Sequence, residues 1–176
     1  MPKVILDTNI FVAGYLSKNK LGYPSQILDL WRRGEFTLVM SPQILEEIIA
    51  KLFEKGIAED LLEELVFTMA RMALQIPGAY ETCRLNHVDP DDNKFLAAAL
   101  ESQADYIVSY DAKSLLPLKH FHGSQILLPE LFMRQFLGAE DDVEDREAAE
   151  AAELDAEIEV LKKETWARRQ KPLQDA

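Results

Sequence analysis

Acidic side chains stand at four places in this chain where a fold could gather them. These are Asp7 after the apolar run KVIL, Glu46 and Glu47 within SPQILEEIIAKL, the DPDDN segment with Asp89, Asp91 and Asp92, and Asp111 in SYDAKS. In an open parallel sheet, ligands bind at the carboxyl ends of the strands, so a polar residue directly after a buried strand is a candidate site residue. Asp7 and Asp111 both hold such positions. Each also has a bland reading. Asp7 opens DTN, three good capping residues before IFVAGYL, and Asp111 suits a turn. Acidic residues favour the first turn of a helix, which accounts for one or two of the DPDDN aspartates without any chemistry. Glu46 and Glu47 read equally well as a solvated pair, and the helical wheel does not choose between them. Together the carboxylates are harder to dismiss, because acids converging at one sheet edge repel each other unless a cation or a proton lies between them. An oxygen-only cluster suits Mg²⁺ or Mn²⁺. Such ions lower the pKa of a bound water and neutralise phosphate charge, which is the chemistry of phosphodiester hydrolysis.

Competing chemistries find little in the chain. No GxxxxGK[ST] loop, GxGxxG fingerprint or GxSxG elbow occurs. Cys83 is the only cysteine, which excludes an internal disulfide and a cysteine-based zinc site. His120 and His122 flank Phe121 with no third ligand nearby, so a surface loop is expected there. An aspartyl-phosphate mechanism wants a second aspartate two places after Asp7, where this chain has Asn9.

The elements that would position the acids follow from hydrophobic periodicity. Residues 3–6, 37–40, 105–109 and 125–128 are short apolar runs bounded by polar or turn residues, as in buried parallel strands. Helical patterns cover residues 24–33, 42–55 (opened by Ser41 and Pro42, closed by Gly56), 59–75 and 92–103. The helix over 59–75 carries Leu62, Leu65, Val66, Met69 and Met72 on one stripe and is expected antiparallel to its predecessor. The alternation implies a doubly wound α/β sheet, with a marginal strand near residues 79–84. Phe53, Phe67, Met69 and Met72 offer more apolar surface than one sheet contact should bury, so a homodimer or protein complex through residues 42–75 is expected.

The chain has 176 residues and a net charge of −12, which argues against tight nonspecific binding to phosphate backbones. That charge is uneven. Residues 138–176 hold 13 acidic and 6 basic side chains, leaving 18 acidic and 13 basic in the first 137. The expected division is therefore a domain over residues 1–137 and an acidic helical extension over 138–176, with a short seam at Leu154, Ile158, Leu161 and Thr165. The extension reads as a solubilising appendage or as a competitor for a basic rim supplied by Lys18, Lys20, Arg84 or Lys94. No window approaches the ~20 apolar residues of a membrane span, and the amino terminus lacks a signal peptide's pattern, so a cytoplasmic protein with no membrane partner is expected.

The succession LDTN, SPQILEEIIAKL, DPDDNKFLAAALESQADYIVSYD and ILLPELF resembles the PIN-domain family, in particular the VapC-like toxins of toxin–antitoxin pairs, over residues 3 to about 137. The resemblance implies a three-layer α/β/α sandwich with a central parallel sheet and an Mg²⁺- or Mn²⁺-dependent ribonuclease site acting on RNA, with a cognate antitoxin as partner. By its motifs, Asp7, Glu47, Asp92 and Asp111 are the catalytic and metal-binding acids. Glu47 is preferred to Glu46 because it lies six residues after Ser41 and five before Leu52. Asn9 and Ser109 are similar to the family's bracing residues, and Asp89 to an outer acid. Where many relatives carry a further acid or asparagine, this chain has Lys113, followed by Ser114.

Overall fold

A computed structural model describes residues 1–18 and 21–138. Residues Met1–Phe136 form one compact unit. Of the extension expected over residues 138–176, with its seam at Leu154 to Thr165, all but Gly138 lies outside the described residues.

Among the described residues, six strands build one sheet in the order β3-β2-β1-β4-β6-β5. They are β1 (Lys3–Leu6), β2 (Thr37–Met40), β3 (Leu74–Gln75), β4 (Tyr106–Val108), β5 (His120–Phe121) and β6 (Ser124–Leu127). Helices α1 (Thr8–Leu16), α2 (Tyr23–Arg32), α3 (Pro42–Glu54), α4 (Glu59–Met72), α5 (Asn93–Ser102) and α6 (Pro129–Leu137) alternate with them. The result is the expected α/β sandwich. The chain starts in the middle of the sheet, winds outward to β3 and returns to lay β4 against the other side of β1. The winding direction thus reverses between β1 and β4, where strand ends part and leave a crevice.

Apolar runs become the central strands because both sheet faces are covered. Val4, Ile5, Leu38, Ile107 and Val108 are fully buried, and Leu6 almost so. Register follows from these runs. Leu6 pairs with Val108, and Val108 with Leu127, so the residues that follow them emerge side by side. Ser41 caps α3 by accepting from the Ile44 N–H at 3.3 Å, and α3 buries Ile44, Ile48 and Leu52 at four-residue steps. On the opposite flank, Phe36, Tyr106, Phe132 and Phe136 form an edge-to-face and stacked cluster with centroids 5.3 to 6.0 Å apart. No helix among the described residues is long and apolar enough to cross a membrane.

Three expectations are corrected. The sheet is parallel except for β5, which pairs antiparallel with β6 where a loop was expected around His120 and His122. The turn uses His122 and Gly123 at φ 45° and 95° to reverse the chain. The helix expected to reach residue 75 ends at Met72, and the marginal strand lies at Leu74–Gln75 rather than near 79–84. The exposed edge of β2 offers hydrogen bonds that a helix end cannot match. Leu74 pairs with Val39, Gln75 with Met40, and the Ile76 N–H donates to Met40 at 2.9 Å. Pro77, with no N–H to give, then stops the ladder before residue 79. Within the α4 stripe, Met69 is fully buried, whereas Val66 and Met72 are exposed.

Candidate functional site

The Leu6–Val108 pairing sets Asp7 beside Ser109 at the carboxyl edge of the sheet, and the Asp7 N–H donates to the Val108 carbonyl at 3.0 Å. The capping reading of Asp7 is physically true, since its Oδ1 accepts from the Asn9 N–H at 3.4 Å at the start of α1. Capping does not account for the rest of its surroundings. Asp7 is only 5% exposed, its Oδ2 accepts from Asn9 Nδ2 at 2.6 Å, and the Ser109 hydroxyl donates to the same oxygen. Ser109 Oγ in turn accepts from the Asp111 N–H at 2.8 Å, and Asn9 Oδ1 from the Tyr110 N–H at 3.3 Å. Asn9 and Ser109 therefore tie the ends of β1 and β4 together around one carboxylate.

Asp111 folds the next turn around itself. Its Oδ1 accepts from the Lys113 N–H at 2.9 Å, and its Oδ2 accepts from the N–H groups of Ser114 and Leu115, each at 3.0 Å. The buried Ser114 hydroxyl donates to Asp111 Oδ2 and also reaches Asp92 Oδ2. Asp92 closes a 3-10 turn, Pro90–Asp92, that leads into α5. Asp89 is exposed and caps that turn, its Oδ1 accepting from the Asp91 N–H at 3.1 Å. Of the two glutamates, Glu46 points to solvent, whereas Glu47 is partly buried, paired with Lys94 Nζ, and close enough for its charge to act on Asp7. Lys94, expected on a basic rim, is thus engaged at the acidic cluster.

Electrostatics separate these acids. Burial pushes the Asp7 carboxyl up from 3.8 to about 6, assisted by the charges of Glu47 and Asp111, and the Ser109 and Asn9 hydrogen bonds oppose the rise. Burial likewise raises Asp92 to about 7. The Ser114 hydrogen bond opposes that shift, and interaction with Asp111, together with the Asp7 charge, reinforces it. Burial would raise Asp111 too, but the N–H groups of Lys113, Leu115 and Ser114 and the contact with Asp92 outweigh it, so Asp111 lies below the usual carboxylate range. The contact between the two carboxyls therefore pushes Asp92 up and Asp111 down.

Among the described residues, no three acidic, histidine or cysteine side chains stand as a ready ion cage. The reason is visible in the contacts: Asp111 spends its oxygens on backbone N–H groups, Asp7 on Ser109 and Asn9, and Glu47 on Lys94. Two participants escaped the sequence reading. These are Ser114, which the sequence offers only as the neighbour of Lys113, and Lys94, which it offers only as a rim cation. The spacing of Ser114 three residues after a turn aspartate was the available signal. It is Ser114 whose hydroxyl meets the two aspartates, whereas Lys113 contributes its N–H to Asp111.

The model of the PIN-domain family matches residues 3–113. An uncharacterised protein of Methanocaldococcus jannaschii is 29% identical over 148 residues, covering 76% of this chain and 91% of that protein. Among solved structures, a chain of VapBC2 from Rickettsia felis, bound to a DNA fragment from its promoter, is similar with a TM-score of 0.51 and 16% identity. That match covers 72% of this chain and 98% of the other.

Proposed function

Because this chain belongs to the PIN-domain family, whose members are generally nucleases, we propose that it is a metal-dependent endoribonuclease, the VapC-like toxin of a toxin–antitoxin pair. The observation that carries this reading is the convergence of Asp7, Asp92 and Asp111, with Glu47 within electrostatic reach, at the switch point of the sheet. The donor set fits Mg²⁺ or Mn²⁺: every candidate ligand is a hard carboxylate oxygen, and burial raises two of the acids, where a cation would compete with the proton. Asp7, Glu47, Asp92 and Asp111 would hold the ion, which when bound neutralises phosphate charge and acidifies water. Ser109 and Asn9 fix the orientation of Asp7, and Asp89 shapes the turn that delivers Asp92.

The test is cleavage of single-stranded RNA by the purified chain. Activity is expected with Mn²⁺ or Mg²⁺ and none in excess chelator. Since cation and proton compete for Asp7 and Asp92, Mn²⁺ affinity is expected to rise between pH 5.5 and 7.5 and to level off only above about pH 8, where both acids are ionised. Affinity independent of pH across that range would remove these two aspartates from the site. Binding of RNA without metal-dependent cleavage would favour a different reading, a PIN module that holds RNA or a protein partner without cutting.

A homodimer through α3 and α4 belongs to the same proposal. Phe53 and Phe67 are 60% and 63% exposed and Met72 is also exposed, although Met69 packs internally. Light scattering is expected to give a dimer mass for the full chain and a monomer mass for the Phe53→Glu, Phe67→Glu variant. A wild-type monomer at high concentration would remove the argument.

A further inference from the structure

Beside the acidic cluster lies a cavity of about 290 Å³ between α3, α5 and the irregular segment after β3. Its outer wall is built, though it contains no strand. Gln43 Nε2 donates to the Gly78 carbonyl at 3.0 Å, and the Ala79 N–H donates to Glu101 Oε2 at 3.1 Å. The Leu85 N–H donates to Asn93 Oδ1 at 2.9 Å, and Asn93 Nδ2 to Asn86 Oδ1 at 2.7 Å. Gly78 sits at φ +69°, and a Cβ there would come within 2.2 Å of Gln43 Oε1, so the bare backbone is what lets the amide lie along the wall.

The lining is mixed in a way that selects a ligand. Tyr80 presents a half-exposed ring and Ala97 a small apolar surface, while Gln43 and Asn86 bring amides. Exposed Glu81 and partly buried Glu101 add two carboxylates to the lining, which would repel an anion. Among the described residues of the lining the one cation, Lys94, is shared: it lines the cavity and pairs with Glu47 of the acidic cluster.

We propose that this cavity receives one unpaired nucleobase of an RNA strand whose adjacent phosphate lies at the acidic cluster. The inference rests on the ribonuclease reading and adds to it a site of base recognition. Proteins read single-stranded RNA by laying unstacked bases on aromatic rings and hydrogen-bonding their edges. Tyr80 supplies the ring. The amides of Gln43 and Asn86 match the mixed donor and acceptor edge of a base, and the carboxylates accept from exocyclic amino groups. The same carboxylates exclude the phosphate from the interior and leave it to Lys94 at the boundary.

The experiment uses the full chain carrying Asp7→Asn, so that binding is read apart from cleavage. AMP, CMP, GMP, UMP and ribose 5-phosphate are titrated separately while the side-chain amide resonances of Gln43 and Asn86 are followed by NMR. At least one nucleotide is expected to shift both amides in a saturable manner, with no such shift from ribose 5-phosphate. Tyr80→Ala should weaken that binding about tenfold or more, and Tyr80→Phe should stay within about twofold of the parent, because stacking needs the ring and not the hydroxyl. The proposal is overturned if no nucleotide moves these amides, if ribose 5-phosphate moves them equally, or if Tyr80→Ala binds as tightly as the parent. Metal-dependent cleavage by the wild-type chain with an unresponsive cavity would sink this inference alone. Nucleotide binding in the cavity of a chain that never cuts RNA would sink the ribonuclease reading and leave a nucleotide site.

Discussion

Replacing Asp7 with asparagine is expected to lower Mn²⁺-dependent RNA cleavage by at least about 100-fold and, in the same protein, to raise the melting temperature of the metal-free chain at pH 8. The two effects share a cause. Asp7 is almost wholly buried and keeps its proton to about pH 6, against 3.8 for a free carboxyl. Between those values the folded state binds more protons than the unfolded state, so stability falls as pH rises through this window. Above it the ionised carboxylate carries the whole cost, about 2 to 3 kcal/mol at 1.36 kcal/mol per pKa unit. Asparagine cannot ionise, and its side-chain oxygen still accepts from Ser109. A net gain of about 1 to 2 kcal/mol remains after weaker capping of α1, which amounts to several degrees in a domain of this size. Below about pH 4 both forms are neutral and the gain should vanish. A variant that melts lower than wild type at pH 8 without metal would mean that Asp7 is there for the fold. A variant that retains cleavage would remove it from the site.

Asp111→Ala is expected to abolish cleavage as well, but with the opposite sign on stability. This carboxylate accepts from the backbone N–H groups of Lys113, Leu115 and Ser114 and meets Asp92, which together outweigh burial and lower its pKa. Alanine leaves those donors without an acceptor and releases the turn over residues 111–115, at a cost of about 1 to 3 kcal/mol. Because a depressed acid stabilises the fold once ionised, that loss should be as large at pH 4 as at pH 8 and should shrink only as the pH falls below the ordinary carboxylate value of 3.8, where the wild-type carboxylate takes its proton. Thermal melts of both variants at pH 8, at pH 4 and at about pH 2.5 give the comparison, the first interval reading Asp7 and the second Asp111. Equal stability shifts for the two substitutions would refute the division of labour between a buried acid that costs stability and a turn acid that supplies it.

Much of this arrangement is already determined by the residues alone. Four apolar runs alternating with amphipathic helices suffice to specify a parallel sheet, because only buried strands tolerate side chains that are apolar on both faces. Aspartates directly after one of those runs, at Asp7, and two residues beyond another, at Asp111, then emerge at one sheet edge. Short-range signals also held locally: Ser41 and Pro42 start α3, Gly56 at φ 78° follows its end, and Asp7 and Asp89 do cap the turns they precede.

What only the tertiary structure decided are the features that depend on partners distant in sequence. The wheel of α3 does not distinguish Glu46 from Glu47, whereas packing of α3 against α1 and α5 exposes the first and sets the second against Lys94 and Asp7. The end of α4 was settled by an open edge of β2, whose hydrogen bonds outcompete a last helical turn and move the edge strand to Leu74–Gln75. The irregular wall at residues 78–86 exists because Gln43, Glu101 and Asn93, from two other elements, take up its backbone groups or hold its side chains. The protonation of the acids was not readable in the chain either. Asp7, Asp92 and Asp111 are the same residue type, and only burial together with the donors that converge on each oxygen pushes two of them up and one down.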